Sequence, residues 1–289
     1  MDDTSIKEKT ISLYSGEKDK EVFRISRQNT VYNHYANRIL DGVFSCFESP
    51  DILDIGCSDG VNINLRLKGR LYNSLLGIDK DPVKVELAKA SFHDGKQTFI
   101  SGDICHPDSF DAVAAYLRAK GIPGFHIIHI ASVLLHLPDV GFVLKNAHSL
   151  LRDDGVIFIQ DEDDGENIVF PDHPFFGDAF YLWDHSLESG DRRFARKIPS
   201  LLKESGFRQI KVQSTTISSL DFSEDRLEAF WDLYFNCDLW SADEPHYFDD
   251  SQSLAKLDDY RRQHASMKQS FLDGNYFILL GVFFILAGK

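Results

Sequence analysis

The sequence predicts an α/β fold, a doubly wound, mostly parallel seven-stranded sheet with an antiparallel last strand. From Asp51 onward, short apolar runs typical of buried strands alternate with helix-like segments, which is the pattern of βαβ units. The first apolar run also ends in a glycine-bearing turn, residues 54–60 (D-I-G-C-S-D-G), that opens a helix. Strand, turn and helix start in this order place backbone N–H groups where open α/β sheets bind ligands.

The N-terminal segment, residues 1–47, is predicted to form an amphipathic helical lid over a site, and a helix packed on the sheet is the alternative. Apolar side chains recur there at helix-like spacing between Val31 and Val43. Residues 48–216 and 274–289 together form the predicted core. Its strands are expected at 52–55, 74–78, 98–100, 125–131, 156–159, 210–216 and 275–287, and the first four intervening helices at 61–68, 82–90, 109–120 and 140–151.

Residues 217–273 are predicted to form a helical cap inserted between the last two strands. The segment is acidic and rich in aromatic residues, and no low-complexity linker separates it from the core. We therefore assign it to the same domain. Because strand-like sequence returns only at the end of the chain, the last strand is expected to lie antiparallel beside the one before it.

The charge of the chain limits its partners. A net charge of −14 repels phosphate backbones and anionic membranes and favours cationic or neutral ligands, although it equally serves solubility. We expect neither a nucleic-acid nor a membrane partner, and either a monomer or a homodimer. Four scattered cysteines, no signal peptide and a final apolar run too short to span a bilayer predict a cytoplasmic protein.

Three predicted strands are followed by, or end in, a carboxylate. These acids are Asp54, Asp79 and Asp103, and the carboxyl ends of parallel strands meet at one edge of a sheet. Three acids in this arrangement suit a ligand with an amine, a ribose diol and an adenine amino group. They do not suit a pyrophosphate, and both the G-x-G-x-x-G fingerprint and the P-loop are absent.

The ordered motifs D-I-L-D-I-G-C-S-D-G, L-L-G-I-D, S-G-D-I, H-I-I-H-I-A-S-V-L-L-H-L-P-D and L-R-D-D-G-V-I-F-I-Q resemble the class I S-adenosylmethionine-dependent methyltransferases. The nearest branch is the small-molecule one that includes ubiquinone/menaquinone-biosynthesis enzymes. The resemblance covers residues 50–215 and the closing strand. It implies a Rossmann-like fold, S-adenosylmethionine as cofactor and methyl transfer.

The resemblance also implies which residues contact the cofactor. Ser58 departs from the family pattern, because it occupies the middle glycine of the common G-x-G-x-G. The implied contacts are Gly56, Cys57, Ser58 and Gly60 for the methionine moiety, Asp79 for the ribose, Lys80, Asp103 and Ile104 for the adenine, and Ala131 and Ser132 beneath the sulfonium. Asp54, at the end of the first strand, is expected to accept from an amino group or to order the turn.

Two residues of the N-terminal segment are candidates for closing over the cofactor. Tyr14 is one, and Arg27 is the other because its guanidinium can pair with the cofactor's carboxylate. A surface arginine is the alternative for Arg27.

Methyl transfer requires that the acceptor be aligned with the methyl group and that water be excluded. A general base is needed only when the acceptor is a hydroxyl or a protonated amine. His136 is the candidate base, with a hydrogen-bonded turn histidine as the alternative. Asp161 and Glu162 follow the fifth strand and are candidates for anchoring or deprotonating a cationic amine. One alternative for this acidic run is a solvated loop. A binding site for a hard cation is another, although the sequence offers no evident further ligand for it.

Aromatic residues outside the sheet are candidates for the acceptor pocket, since their rings can enclose an apolar or cationic group. Burial in the core is the alternative for each of them. The candidates are His34, Trp183, His185, Trp231 and Tyr234.

These observations predict an S-adenosylmethionine-dependent methyltransferase acting on a small molecule, with an amine acceptor favoured by the acidic composition. A protein or peptide methyltransferase is the alternative within enzymes. A non-catalytic module that binds S-adenosylmethionine for regulation is the alternative outside them. An RNA acceptor is disfavoured because the sequence has no basic stripe.

Overall fold

The computed structural model describes residues 19–186, 190–236, 248 and 250–289. Within these ranges the chain forms eight strands and nine α-helices. The strands are β1 (Asp51–Ile55), β2 (Ser74–Asp79), β3 (Gln97–Ser101), β4 (Phe125–Ala131), β5 (Leu151–Glu162), β6 (Ile168–Phe170), β7 (Arg208–Ser218) and β8 (Phe277–Gly288). The helices are α1 (Asp19–Phe44), α2 (Val61–Leu67), α3 (Pro82–Ser91), α4 (Pro107–Lys120), α5 (Val140–Leu150), α6 (Pro174–His185), α7 (Ile198–Glu204), α8 (Glu224–Tyr234) and α9 (Ser251–Leu272).

All eight strands belong to one sheet, in the order β3-β2-β1-β4-β5-β8, with β7 on the far edge of β8. Strands β1 to β5 are parallel, whereas β8 is antiparallel to both β5 and β7. Every residue of β1 is buried, as expected for a central strand covered by helices on both faces. The predicted doubly wound sheet with an antiparallel last strand is therefore confirmed.

The sheet has eight strands, one more than predicted. The additional strand, β6, has three residues and pairs with the start of β8, on the same edge that β5 occupies further along. Such a short run, next to an acidic loop and a proline, carries too little periodicity to be recognised. In addition, β5 begins at Leu151, so residues 152–155, which lay between the predicted helix and the predicted strand, belong to the strand.

The helices of the proposed lid and cap share one apolar core. Residues from α1, α6, α8 and α9 form a single buried cluster with the adjoining face of β8. Trp231 is at its centre: its ring stacks on Phe175 at 5.7 Å between centroids, and its indole N–H donates to His264 Nε2 at 3.1 Å. Among the described residues, no helix combines the length and apolar character required to cross a bilayer.

We expect Trp231→Ala to lower the free energy of unfolding by about 3–5 kcal/mol, because Trp231 is 0% exposed and its removal leaves a large cavity. Denaturant-induced unfolding measures this change. His34→Ala, at an exposed position of α1, is the control and should change stability by less than about 0.5 kcal/mol. Wild-type stability in Trp231→Ala would contradict its place in the core.

Candidate active site

A cavity of about 660 Å³ lies at the carboxyl ends of the parallel strands. Helices α1 and α8 contribute to its outer wall. Of the residues that the resemblance or the strand ends implicate in cofactor binding, the cavity wall contains Asp54, Gly56, Cys57, Ser58, Asp79, Lys80, Asp103, Ile104, Ala131 and Ser132. Gly60 does not line the cavity; it precedes α2 with a left-handed backbone, at a φ of 78°.

The turn after β1 depends on Gly56. Its φ is +74°, and a Cβ atom there would lie 2.3 Å from Val133 Cγ2, so no side chain fits. Ser58 is also left-handed, with a φ of +50°, which costs a non-glycine residue roughly 1 kcal/mol. Its N–H donates to Asp79 Oδ2 at 2.8 Å, which offsets that cost. Serine therefore fits the position of the middle glycine.

The carboxylates at the ends of β2 and β3, Asp79 and Asp103, line the cavity and can accept further hydrogen bonds. Asp79 Oδ1 accepts from the N–H of Asp81 at 2.9 Å, and Asp103 Oδ1 accepts from the N–H of Cys105 at 2.9 Å. Each carboxylate oxygen has a second lone pair for a ligand. Ser58 Oγ and Asn62 Oδ1, on the same wall, are buried without a hydrogen-bond partner among the described residues. Polar ligand groups are expected at such atoms.

A buried polar network supports this turn from below. Asp54 Oδ1 is 2.6 Å from His129 Nδ1, and His129 Nε2 is 2.6 Å from Arg66 Nη1. Arg66 also donates from Nη2 to Gln160 Oε1 at 2.5 Å. An arginine only donates, so His129 Nε2 must accept and Nδ1 must carry the proton given to Asp54. His129 is therefore neutral.

Burial decides the charge states around this network. It lowers the pKa of His129 despite the nearby carboxylate of Asp54, and it lowers the pKa of Arg66 to about 10, which leaves the guanidinium charged at neutral pH. Burial, followed by the neighbouring carboxylates, raises the pKa of the Cys57 thiol. Cys57 is thus a neutral part of the wall, without thiolate reactivity.

The other side of the cavity is formed at the ends of β4 and β5. Ser132 Oγ donates to Glu162 Oε1 at 3.1 Å and accepts from Gln28 Nε2 of α1 at 2.7 Å. His136 follows in a short 3-10 helix, Leu134–His136, and also lines the cavity. Burial lowers its pKa, and Glu162 only partly opposes this effect. At neutral pH the imidazole is therefore uncharged and able to accept a proton.

The predicted strand ended before Asp161, but β5 extends to Glu162, and the acids at its end and directly after it have different environments. Asp161 lies behind the wall and outside the cavity lining, and burial together with Glu162 raises its pKa. Asp163 pairs with Arg196, and Asp164 pairs with Arg192. Glu162 is thus the acid of this run that faces the cavity. Among the described residues, no group of three or more His, Cys, Asp or Glu side chains is arranged to hold a metal ion.

The aromatic candidates divide into two groups. Trp183 and Tyr234 line the cavity with their ring centroids 5.7 Å apart, and Tyr32 contributes a third ring, 6.5 Å from that of Tyr234. The other three do not reach the cavity: His34 and His185 are exposed, and Trp231 is in the aromatic core. The helical spacing of these residues could not show which of them line the cavity, which lie in the core and which are exposed.

The structure describes one of the two N-terminal candidates, Arg27. Tyr14 lies outside the described residues, and Arg27 pairs with Asp232 of α8 at 3.2 Å instead of lining the cavity. Arg24, Gln28 and Tyr32, which do line it, were not predicted. Their spacing of four residues, which places them on one helix face, is the signal that was missed. Arg192 was missed as well, because nothing local in the sequence indicates its partner Asp164.

Comparisons with known proteins agree with this geometry. A family model described as a methyltransferase domain matches residues 27–212. No curated protein sequence matches the chain. Structures with the same fold include phosphoethanolamine N-methyltransferase 2 of Haemonchus contortus in complex with S-adenosylmethionine. The two chains are 17% identical with a TM-score of 0.52, and the alignment covers 89% of this chain and 52% of that one. This chain therefore spans about half the length of the Haemonchus protein.

Two further structures share the fold. The YcgJ protein of Bacillus subtilis has 14% identity and a TM-score of 0.53, with 89% of this chain and 98% of that chain covered. The [4+2]-cyclase SpnF has 14% identity and a TM-score of 0.51, with 88% and 81% covered. Because a cyclase is among these neighbours, the shared fold does not by itself determine the reaction. None of the comparisons singles out the ubiquinone/menaquinone branch.

We expect His129 to make the stability of the protein depend on pH. As the pH falls below about 6.5, an unfolded histidine takes up a proton, whereas the buried His129 resists it. The free energy of unfolding should therefore decrease on acidification, by at most about 1.4 kcal/mol per pH unit for one proton.

Denaturant unfolding between pH 7 and pH 5 tests this expectation. His129→Gln should show a weaker loss of stability than the wild type, because the titrating group is gone. His93→Gln, at an exposed position, should keep the wild-type dependence. An unchanged dependence in His129→Gln would contradict the assignment of a neutral His129.

Proposed function

This chain belongs to the methyltransferase-domain family and uses S-adenosylmethionine, and we propose that it transfers the methyl group to a small-molecule amine. When bound, the cofactor supplies an activated methyl group on a sulfonium. The task left to the protein is to bind, align and desolvate the acceptor, and to receive a proton where the acceptor loses one.

We assign the cofactor to the wall formed by the ends of β1, β2 and β3. The acceptor capacity of Asp79 suits the ribose hydroxyls, and that of Asp103 suits the adenine amino group. Ser58 Oγ and Asn62 Oδ1 are buried and lack partners among the described residues, which supports polar ligand groups beside them. Arg24 of α1 lines this cavity and provides a cation suited to the cofactor's carboxylate, the role expected of Arg27.

The observation that carries the amine proposal is the position of Glu162. Its carboxylate lies at the end of β5, on the side of the cavity away from Asp79 and Asp103, because β1 and β4 separate these strands in the sheet. A carboxylate that is 8% exposed favours a cationic partner strongly, since little water screens it. The rings of Trp183 and Tyr234 on the same cavity wall can add cation–π attraction.

His136 supplies the second element of the proposal. An ammonium must lose a proton before nitrogen can attack the methyl group, and a neutral imidazole on the cavity wall can accept it. Phosphoethanolamine N-methyltransferase is, by its name, an amine-modifying enzyme. At 17% identity that likeness concerns the fold, so the amine proposal rests on Glu162 and His136.

We expect Glu162→Gln to lower kcat/KM for an amine by about 10–100-fold, because a hydrogen bond to a charged group contributes about 1.5–3 kcal/mol. A panel of amines, phenols and carboxylates assayed for methyl transfer measures this effect, and calorimetry should show unchanged affinity for S-adenosylmethionine. Glu166→Gln, four residues further along the same acidic run but outside the cavity lining, is the matched control. Activity confined to phenols or carboxylates would reject the amine acceptor.

We also expect kcat/KM to decline as the pH falls below 6.5, because the pKa of His136 lies below its ordinary value and protonation removes the base. A pH profile with a cationic amine measures this. His136→Gln should be slower and lose this acid limb, whereas His185→Gln, exposed and outside the cavity, should retain it. An acid limb that persists in His136→Gln would exclude it as the base.

A further inference from the structure

We propose that Arg192 binds an anionic group of the acceptor, so that the acceptor is an amine that also carries a carboxylate or a phosphate. This inference rests on the proposed methyl transfer to an amine. It adds that the same acceptor carries a second, anionic group.

The guanidinium of Arg192 is held in place on two sides. Nε donates to Asp164 Oδ2 at 2.8 Å, and Nη2 donates to Asp164 Oδ1 at 3.1 Å, which is a bidentate pair. The centre of the guanidinium lies 5.2 Å from the centroid of the Trp183 ring. The backbone reinforces the pair, because the N–H of Asp164 donates to the carbonyl of Arg192 at 2.8 Å. The group is therefore preorganised, and little side-chain entropy remains to be lost on binding.

The pair with Asp164 leaves part of this guanidinium unused. A guanidinium has five N–H donors, and the two bonds to Asp164 leave three. Within residues 19–186, 190–236, 248 and 250–289, Nη1 has no hydrogen-bond partner. Arg192 lines the cavity, and its side chain is 17% exposed. A fixed arginine with donors available on a cavity wall is suited to a carboxylate or a phosphate.

The backbone next to Arg192 lies beside Leu135 and His136, on the wall of the cavity that we propose for the acceptor. The N–H of Asp191 donates to the carbonyl of Leu135 at 2.9 Å, and a Cβ atom on Gly190 would lie 3.1 Å from His136 Nδ1. Arg192 is thus anchored beside the segment that carries His136, at the ends of β4 and β5. The acids assigned to ribose and adenine follow β2 and β3 instead. With Glu162 as the site for the ammonium, this wall has one partner for each charge of a zwitterionic acceptor.

Three amines of matched length test the proposal, bearing a hydroxyl, a carboxylate or a phosphate monoester at the far end. We expect the wild type to use at least one anionic amine with a kcat/KM at least tenfold above that of the hydroxyl compound. Arg192→Met should lower kcat/KM for that anionic amine by about 10–100-fold more than it lowers kcat/KM for the hydroxyl compound, so that the preference for the anion is lost. The comparison of carboxylate with phosphate identifies which anion the site selects.

The controls separate acceptor binding from folding and from cofactor binding. Arg196→Met removes a similar bidentate pair, with Asp163, outside the cavity lining, and should leave the anion preference intact. Because Arg192→Met leaves the Asp164 carboxylate, 11% exposed, without its ion-pair partner, the double variant Arg192→Met/Asp164→Asn is assayed as well and should show the same loss. Calorimetry should give wild-type affinity for S-adenosylmethionine in both variants. Equal use of all three amines, or a loss of cofactor affinity in both variants, would overturn the proposal.

A direct binding measurement distinguishes failure of this site from failure of the amine proposal. If no amine is methylated, the amine proposal fails, and calorimetry with inorganic phosphate and acetate is then performed on protein saturated with S-adenosylhomocysteine. Binding of either anion that is lost in Arg192→Met and kept in Arg196→Met would support the anion site on its own. Absence of binding to the wild type would reject it.

Discussion

The guanidinium of Arg66, buried beneath the cavity, joins most of the elements that form the site. It is 1% exposed, and its partners are His129 on β4, Gln160 on β5 and Asn33 on α1, while His129 extends the network to Asp54 on β1. Burial of a charge is costly unless hydrogen bonds and an opposite charge compensate for it. Three strand ends and two helices must therefore keep their relative positions, and the turn above them is preorganised.

A second constraint is the distribution of charge in a chain with a net charge of −14. The carboxylates of residues 161–166, at the end of β5 and just after it, would repel one another if all were ionised and unpaired. Arg192 and Arg196 each neutralise one acid, and burial favours the protonated form of Asp161. Glu162 is the one carboxylate of this run that lines the cavity. The net charge thus says little about the site, whereas the local pairing determines which charge a ligand meets.

The sequence was sufficient for the sheet and for the cavity wall at the ends of β1, β2 and β3, because both follow from local patterns. Apolar runs identify strands, and the acids at their ends must converge because parallel strands finish at one edge. The acceptor side was only partly predictable. His136, Glu162, Trp183 and Tyr234 line the cavity, but helical spacing of aromatic residues could not distinguish Tyr234 from Trp231, which lies on the same helix and faces the core. The position of Arg192 depends on a partner 28 residues away.

This division between predictable and unpredictable residues has a physical origin. The cofactor side consists of turns that follow directly from the parallel strands, so its geometry is fixed by the fold. The wall proposed for the acceptor combines side chains from α1, α6 and α8 with the end of β5 and the segments after β4 and α6, most of which the sheet constrains less. Substitutions there can alter charge and shape without moving the network around Arg66. The same fold can therefore serve different reactions, that of a [4+2]-cyclase among them.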